Sequence, residues 1–205
     1  MKLLVPLDTS TLAEQAVPVA AAIAKARKAS EIRLVVVHER LWYARHRDAP
    51  WNDARSTMER AYLESKAREV GSILAIPVIV EHPTGGVVDA IAEITKSAGT
   101  DLIVMTTHGR TGMSRAWLGS VADGIMRSAG APVLMLRPSV QPTPVDRPAG
   151  SFSRVLIPLD GSGEAETILD EAMAVVGRAA TYVLVRVVQP IRSSCRARTP
   201  TQCRP

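Results

Sequence analysis

Aromatic residues make up only 3% of the 205 residues, whereas 46% of the chain is hydrophobic. A core with so few aromatic rings has to be built from Val, Ile, Leu and Ala, which favours helices packed on a parallel sheet. The sequence has no apolar run of 18 residues, so a transmembrane helix is not predicted. The N-terminal apolar run is interrupted at Asp8, too early for a secretory signal. We therefore expect a cytoplasmic protein that makes no membrane contact.

The last fifteen residues, 191–205, hold both cysteines of the chain and four arginines but no acidic residue. Two cysteines so close to one end, Cys195 and Cys203, predict neither a disulfide framework nor a cysteine-based metal site. The four arginines account for most of the net charge of +5, and the remaining 190 residues are close to neutral. A clustered basic face is the usual sign of nucleic-acid binding. We therefore expect a basic, disordered tail and no nucleic-acid partner.

Short apolar runs alternate with segments of helical periodicity along the first two thirds of the chain. This alternation predicts an α/β fold, with a parallel sheet and helices on both of its faces. Pro18 lies inside the first helical segment, where it predicts a kink. The predicted strands are residues 2–7, 32–37, 73–80, 101–106 and 132–136, and the predicted helices are residues 12–24, 53–70, 84–99 and 119–129.

The beginning of the chain recurs near its end. Residues 2–8 read KLLVPLD and residues 154–160 read RVLIPLD, and each is followed by a helical segment and an apolar strand. Residues 137–153 contain four prolines and separate the two copies as a linker. We hypothesise a truncated tandem protein, cut short by a frameshift near residue 191. The predicted organisation is a first domain (1–138), a linker (139–153), a partial second domain (154–190) and the tail (191–205).

The loop after the fourth predicted strand, residues 107–120, reads THGRTGMSRAWLGS. Ligands of open parallel sheets bind at the carboxyl ends of the strands, and this loop lies at one of those ends. Glycine lets a backbone approach a ligand closely, and the start of the following helix favours a phosphate. On the residues alone a tight turn explains the glycines equally well. The loop is not a P-loop, because no Gly-Lys-Ser/Thr follows it.

Three segments carry a resemblance to a known family: VPLDTSTLAEQAV, LVVVHE and, above all, DLIVMTTHGRTGMSRAWLGSVADGIMRSAGAPVLMLRP. They stand in the expected order, cover residues 1–138 and resemble the universal stress protein family. The resemblance implies a five-stranded parallel sheet of order 3-2-1-4-5 and a role in the stress response. It also implies ATP, accompanied by Mg²⁺, as a regulatory ligand and a homodimer formed through the edge strand 132–136.

Nucleotide-binding members of that family carry a motif of Gly, two residues, Gly, nine residues, Gly and then Ser or Thr. Gly109 and the pair Gly119-Ser120 match this motif, whereas Thr106 stands where the first glycine is expected. Glu39 is a second departure, because it replaces an apolar residue beside the adenine. The resemblance implies a site formed by Pro6, Leu7, Asp8, His38, Glu39, Thr106, His108, Gly109, Gly119, Ser120 and Val121.

Simpler roles remain open for several of these residues. Asp8 is equally suited to capping the helix that follows it. No carboxylate or cysteine cluster accompanies His38 in the sequence, so we predict no metal ligand. His108 has no nucleophile elbow beside it, so no catalytic residue is predicted and a slow ATPase is the limit of any enzymatic activity. Thr106 and Glu39 favour an alternative family member that does not bind nucleotide and acts through dimerisation and protein partners.

Overall fold

The computed structural model describes residues 1–39, 49–107, 119–137 and 152–188. The strands of its first part are β1 (Lys2–Leu7), β2 (Glu31–Val36), β3 (Val78–Glu81), β4 (Leu102–Thr106) and β5 (Val133–Leu136). They form one sheet in the order β3-β2-β1-β4-β5, with all pairs parallel. The predicted strand order is therefore confirmed. The order reverses between β1 and β4, where sheets of this kind open a crevice at their carboxyl ends.

Helices cover both faces of this sheet. Alternate side chains of the strands point to opposite sides, so Leu3, Val5 and Leu7 enter one core while Leu4 and Ile103 enter the other. The largest fully buried side chains of the described residues are all Leu, Ile or Val, as the scarcity of aromatics predicts. The helices are α1 (Thr11–Glu14), α2 (Ala16–Arg27), α3 (Ala49–Ile73), α4 (Val87–Ala98) and α5 (Ser120–Ser128).

Two of the predicted elements differ from the structure. The first helix divides at Gln15, and Pro18 lies in the first turn of α2, where its missing N–H removes no helical hydrogen bond. The predicted helix 12–24 is therefore interrupted, but the break lies at Gln15, three residues before Pro18. The predicted strand 73–80 is also wrong in its first half, because α3 continues to Ile73 and β3 begins only after Pro77. No helix in the described parts of the chain is both long and apolar enough to span a bilayer.

Residues 152–188 form a smaller unit that resembles the start of the first one. Its elements are β6 (Arg154–Pro158), α6 (Gly163–Glu166), α7 (Ile168–Val176) and β7 (Thr181–Val185). The strands β6 and β7 pair in parallel, as β1 and β2 do. The sequence repeat therefore corresponds to a repeated strand-helix-strand arrangement.

This smaller unit packs on the outer side of α2. The guanidinium of Arg27 donates from Nε to the carbonyl oxygen of Val175 over 3.0 Å, and Phe152 and Val175 pack against the first core. Ile157 is buried, but Leu156 and Leu184 are 66% and 55% exposed. The apolar pattern of these strands predicts a sheet buried on both faces, and within the described residues only one face is covered.

Candidate functional site

The carboxyl end of β1 carries Asp8 in a hydrogen-bonded turn. The carboxylate oxygen Oδ1 of Asp8 accepts from the backbone N–H of Ser10 over 3.0 Å and from its hydroxyl over 2.6 Å. The hydroxyl of Ser10 in turn accepts from the N–H of Ala13 over 3.1 Å. Ser10 is therefore the residue that caps α1, and Asp8 orients the cap. The preceding residues Pro6 and Leu7 belong to β1, where they pair with β2.

The second copy repeats this turn atom for atom. Asp160 accepts from the N–H of Ser162 over 2.8 Å and from its hydroxyl over 2.7 Å, and Ser162 caps α6 through the N–H of Ala165. The hydrogen bonds from Ser162 lower the pKa of Asp160. Asp160 is exposed. The turn after β6 is thus a structural counterpart of the turn after β1.

The carboxyl end of β4 meets the start of α5. The N–H of Gly119 donates to the carbonyl oxygen of Thr107 over 3.0 Å, which joins the two ends of the glycine loop. The helix begins at Ser120, one residue after the predicted start, and both Ser120 and Val121 are exposed at its first turn. The departure from the nucleotide motif, Thr106, is the last residue of β4 and is only 6% exposed. His108 and Gly109 lie outside the described residues.

Space, and not backbone conformation, favours glycine at position 119. Its φ of −70° and ψ of 152° are accessible to any residue. A Cβ added at this position would lie 3.0 Å from the carbonyl oxygen of Thr107. The close approach of these two backbone segments therefore explains at least part of the glycine pattern without a ligand.

At the carboxyl ends of β2 and β3 the structure assembles a buried polar cluster. Nδ1 of His38 lies 2.7 Å from Oε2 of Glu59, and Nε2 of His82 lies 3.2 Å from the same oxygen. The guanidinium of Arg55 donates from Nε to the other oxygen of Glu59 over 2.8 Å. All three side chains of His38, Glu59 and His82 are 4–5% exposed. The expectation that no carboxylate accompanies His38 is therefore wrong.

The charges of this cluster are balanced around the carboxylate of Glu59. Burial raises the pKa of Glu59, but the hydrogen bonds from His38 and His82 and the adjacent charge of Arg55 outweigh it. The net effect holds the pKa of Glu59 below its usual value, so the group is a carboxylate at neutral pH. A buried anion with three donors is a strong acceptor for hydrogen bonds and a suitable ligand for cations.

Sequence reasoning missed Glu59 and His82 because they are distant from His38 along the chain. A signal was nevertheless present on α3. Glu59, Leu63 and Val70 lie on one face of the helix, and all three are buried. Met58, the residue just before Glu59, is 71% exposed and lies on the opposite, solvent-facing side. A glutamate on the buried face of a helix indicates a partnered carboxylate.

A pocket of about 430 Å³ opens between the turn after β1 and the first half of α3. Its exposed wall includes Trp51, and the guanidinium of Arg55 lies 5.9 Å from the ring centre of Trp51. Glu39, which precedes the undescribed segment, is exposed, and its carbonyl oxygen accepts from Arg55 over 3.4 Å. The pocket is lined by Thr9, Trp51, Arg55, Met58, Glu59 and Tyr62.

Comparison with known proteins places this fold in a family. The family model described as "Universal stress protein family" matches residues 1–137. The chain belongs to the universal stress protein family. Universal stress protein MJ0531 of Methanocaldococcus jannaschii is 28% identical over 138 residues, which cover 66% of this chain and 81% of the relative.

Two solved universal stress proteins share the fold. One, from Archaeoglobus fulgidus DSM 4304, has a TM-score of 0.70 at 21% identity and covers 92% of this chain and 67% of that chain. The other, solved in complex with cAMP, has a TM-score of 0.53 at 22% identity and covers 68% of this chain and 98% of that chain. The longer match extends past residue 137 into the second unit of this stress protein.

Proposed function

We propose that this stress protein acts in the cytoplasm and binds an adenine nucleotide, ATP, as a regulatory ligand of residues 1–137. The observation that carries the proposal is the junction of β4 and α5 beside β1. The N–H of Gly119 holds the start of α5 against Thr107, so the first turn of the helix lies at the carboxyl edge of the sheet. Helix starts of this kind stabilise phosphate groups through unpaired N–H groups and the helix dipole.

The position of this helix start within the sheet supports the same ligand. β1 and β4 are neighbours at the reversal of strand order, where α/β sheets bind their ligands. β1 pairs with β4 through Leu3 and Leu102, and continuing that register brings Asp8 level with Thr107. Asp8 would then border the nucleoside, while Ser120 and Val121 border the phosphates. A family member solved with cAMP supports an adenine-containing ligand.

Chemistry on the nucleotide is not part of this proposal. A helix start and a glycine loop bind phosphates without placing a general base next to an attacking water. We therefore expect binding of ATP, with Mg²⁺ on its phosphates, and no more than slow hydrolysis. A phosphate-release assay run beside the binding measurement separates a binding protein from an enzyme.

The test is a thermal unfolding measurement with and without ATP. A ligand that binds only the folded state at about 100 times its Kd stabilises it by about 2.7 kcal/mol. For a chain of this size that corresponds to a rise in Tm of about 5–10 °C. Gly119→Val should abolish the rise, because its side chain fills the space at the helix start.

A matched control is available in the second copy. Gly163 is the first residue of α6, and a Cβ there would meet nothing within 4 Å. Gly163→Val should leave the ATP-dependent rise intact. Since a Cβ at Gly119 also approaches Thr107, the Tm of each variant without ATP must be subtracted from its own value with ATP. Equal rises in the wild type and Gly119→Val would exclude this helix start as the phosphate site.

A second candidate function rests on Thr106 and on the sheet edge. Thr106 is buried where nucleotide-binding relatives are expected to carry glycine. β5 pairs only with β4 among the described strands, so one of its sides is an open edge. A family member that no longer binds nucleotide would act through a homodimer formed along Val133–Leu136 and through protein partners. The absence of any Tm rise at millimolar ATP would favour this function.

The second unit is proposed to be a partial copy of the first domain. The repeated turn of Asp160 and Ser162 and the parallel pairing of β6 with β7 support this origin. The described residues of this unit contain no counterpart of β4 and α5. We therefore assign the proposed nucleotide site to the first domain alone.

A further inference from the structure

We propose that His38, Glu59 and His82 bind one divalent transition-metal cation, with Zn²⁺ as the best match. The three ligand atoms, Nδ1, Oε2 and Nε2, all lie within 4.8 Å of one another. They come from three different elements, namely the end of β2, the helix α3 and the segment after β3. The proposed cation site is separate from the proposed phosphate site at α5 and does not depend on it.

The spacing of the ligand atoms suits a cation without a large rearrangement. Zn²⁺ lies about 2.0–2.2 Å from nitrogen and oxygen ligands, so neighbouring atoms of a tetrahedral site are about 3.3 Å apart. The distances from Oε2 of Glu59 to the two imidazole nitrogens are 2.7 and 3.2 Å. Movements of less than about 1 Å in the side chains of His38 and Glu59 would open the cluster to that spacing.

The donor set selects the class of metal. Imidazole nitrogens favour Zn²⁺, Cu²⁺, Ni²⁺ and Fe²⁺, whereas Mg²⁺ and Ca²⁺ favour oxygen ligands alone. Two imidazoles and one carboxylate are three protein ligands, which leaves a fourth position of a tetrahedral cation for water or a small anion. Glu59 and Arg55 also line the pocket beside the turn after β1, so one ligand residue of the proposed site borders open space.

Contacts outside the three ligands already hold them in place. Nε of Arg55 fixes Oε1 of Glu59, which leaves Oε2 directed at the two imidazoles. The backbone N–H of His38 donates to Pro83, and its carbonyl oxygen accepts from Gly85. These bonds tie the segment of His38 to the segment of His82. Outer contacts of this kind orient metal ligands and raise affinity about 10–100-fold.

The competing interpretation is a hydrogen-bonded network without a metal. In that network the imidazoles of His38 and His82 donate to Oε2 of Glu59, and Arg55 pairs with the other oxygen of the carboxylate. Both interpretations satisfy the buried carboxylate, so stability alone does not distinguish them. Only a direct measurement of a bound cation and of its ligand atoms does so.

The experiment uses the full chain, freed of metal with a chelator, without nucleotide and with Cys195 and Cys203 changed to serine. Co²⁺ replaces Zn²⁺ in such sites and absorbs visible light when it is tetrahedral. We expect one Co²⁺ per chain, a visible absorption band without a thiolate charge-transfer band, and displacement of Co²⁺ by Zn²⁺. The cysteine changes remove the tail thiolates as a competing site.

Variants then assign the ligands. His82→Gln and Glu59→Gln should each weaken Co²⁺ binding by more than about 100-fold, beyond the loss expected for an outer contact. Glu64→Gln, on an exposed position of the same helix, should bind as the wild type does. Circular dichroism checks folding, and His82→Gln decides the question if Glu59→Gln unfolds. Absence of Co²⁺ absorption in the wild type, or unchanged absorption in His82→Gln, would overturn the proposal.

Discussion

The contact between α4 and α5 depends on Gly124, and adding one methyl group there tests how α5 is positioned. A Cβ at Gly124 would lie 2.7 Å from Cγ2 and 3.3 Å from Cγ1 of Val88. The shorter distance is well inside van der Waals contact, so Val88 or one of the helices has to move. Since α5 carries Ser120 at its start, this movement would also displace the proposed phosphate site.

Two opposing effects decide the magnitude for Gly124→Ala. Alanine stabilises a helix interior by about 0.5–1 kcal/mol relative to glycine. Overpacking a filled contact costs about 1–3 kcal/mol. Gly71 of α3 isolates the first effect, because its Cβ would meet only Cγ2 of Val78 at 4.0 Å. Gly71 lies in the last turn of α3, so Gly71→Ala should stabilise the protein by at most about 0.5–1 kcal/mol. Gly124→Ala should be less stable than Gly71→Ala by about 1–3 kcal/mol.

Urea unfolding of both variants and the wild type measures this difference. In a background of Val88→Ala the methyl group has room, so Gly124→Ala should there be neutral or stabilising, as Gly71→Ala is in the wild type. Sites in contact show such coupling, whereas distant sites add independently. If Gly124→Ala raises the free energy of unfolding as much as Gly71→Ala does, the packing argument is wrong.

Three further predictions concern binding and assembly. Thr106→Gly should tighten ATP binding at a cost of about 0.5–1 kcal/mol in strand stability; calorimetry that finds equal or weaker affinity would show that Thr106 does not obstruct the site. Light scattering at micromolar concentrations should give the mass of a homodimer. A charged residue in place of Leu134 of β5 should convert the dimer to a monomer. A monomeric wild type would contradict pairing along this edge. Limited proteolysis should leave a core ending near Arg137, and residues 1–138 alone should bind ATP as the full chain does. Loss of folding in that fragment would show that packing of the second unit against the first is essential.

Much of the fold could be predicted because each strand is a short apolar run that ends in a polar or glycine-rich turn. Strand β1 ends at Leu7, and helix α4 is capped by Gly99, whose positive φ of 64° suits glycine. The errors lie where neighbouring residues have no decisive preference. Residues 73–76 are apolar enough for a strand, yet α3 runs to Ile73, and only Pro77 marks the change to β3.

The candidate site was less predictable, because only part of it is local in sequence. The start of α5 at Ser120 follows from a glycine in front of an apolar periodicity. The partners of His38 do not follow from any local pattern. Glu59 lies 21 residues after His38 in the sequence. His82 lies a further 23 residues after Glu59. The parallel connections of the sheet bring these residues together at one edge. The local sequence around each residue does not predict which residues it will contact.

The geometry of His38 also refines what the family resemblance implies. The resemblance puts His38 and Glu39 beside an adenine, but the side chain of His38 is 5% exposed and directed at Glu59. Its backbone N–H and carbonyl are bonded to Pro83 and Gly85. The hydrogen bonds of its ring and its backbone are therefore made within the protein. Glu39 is the exposed member of the pair, whereas the backbone bonds of His38 hold the carboxyl ends of β2 and β3 together.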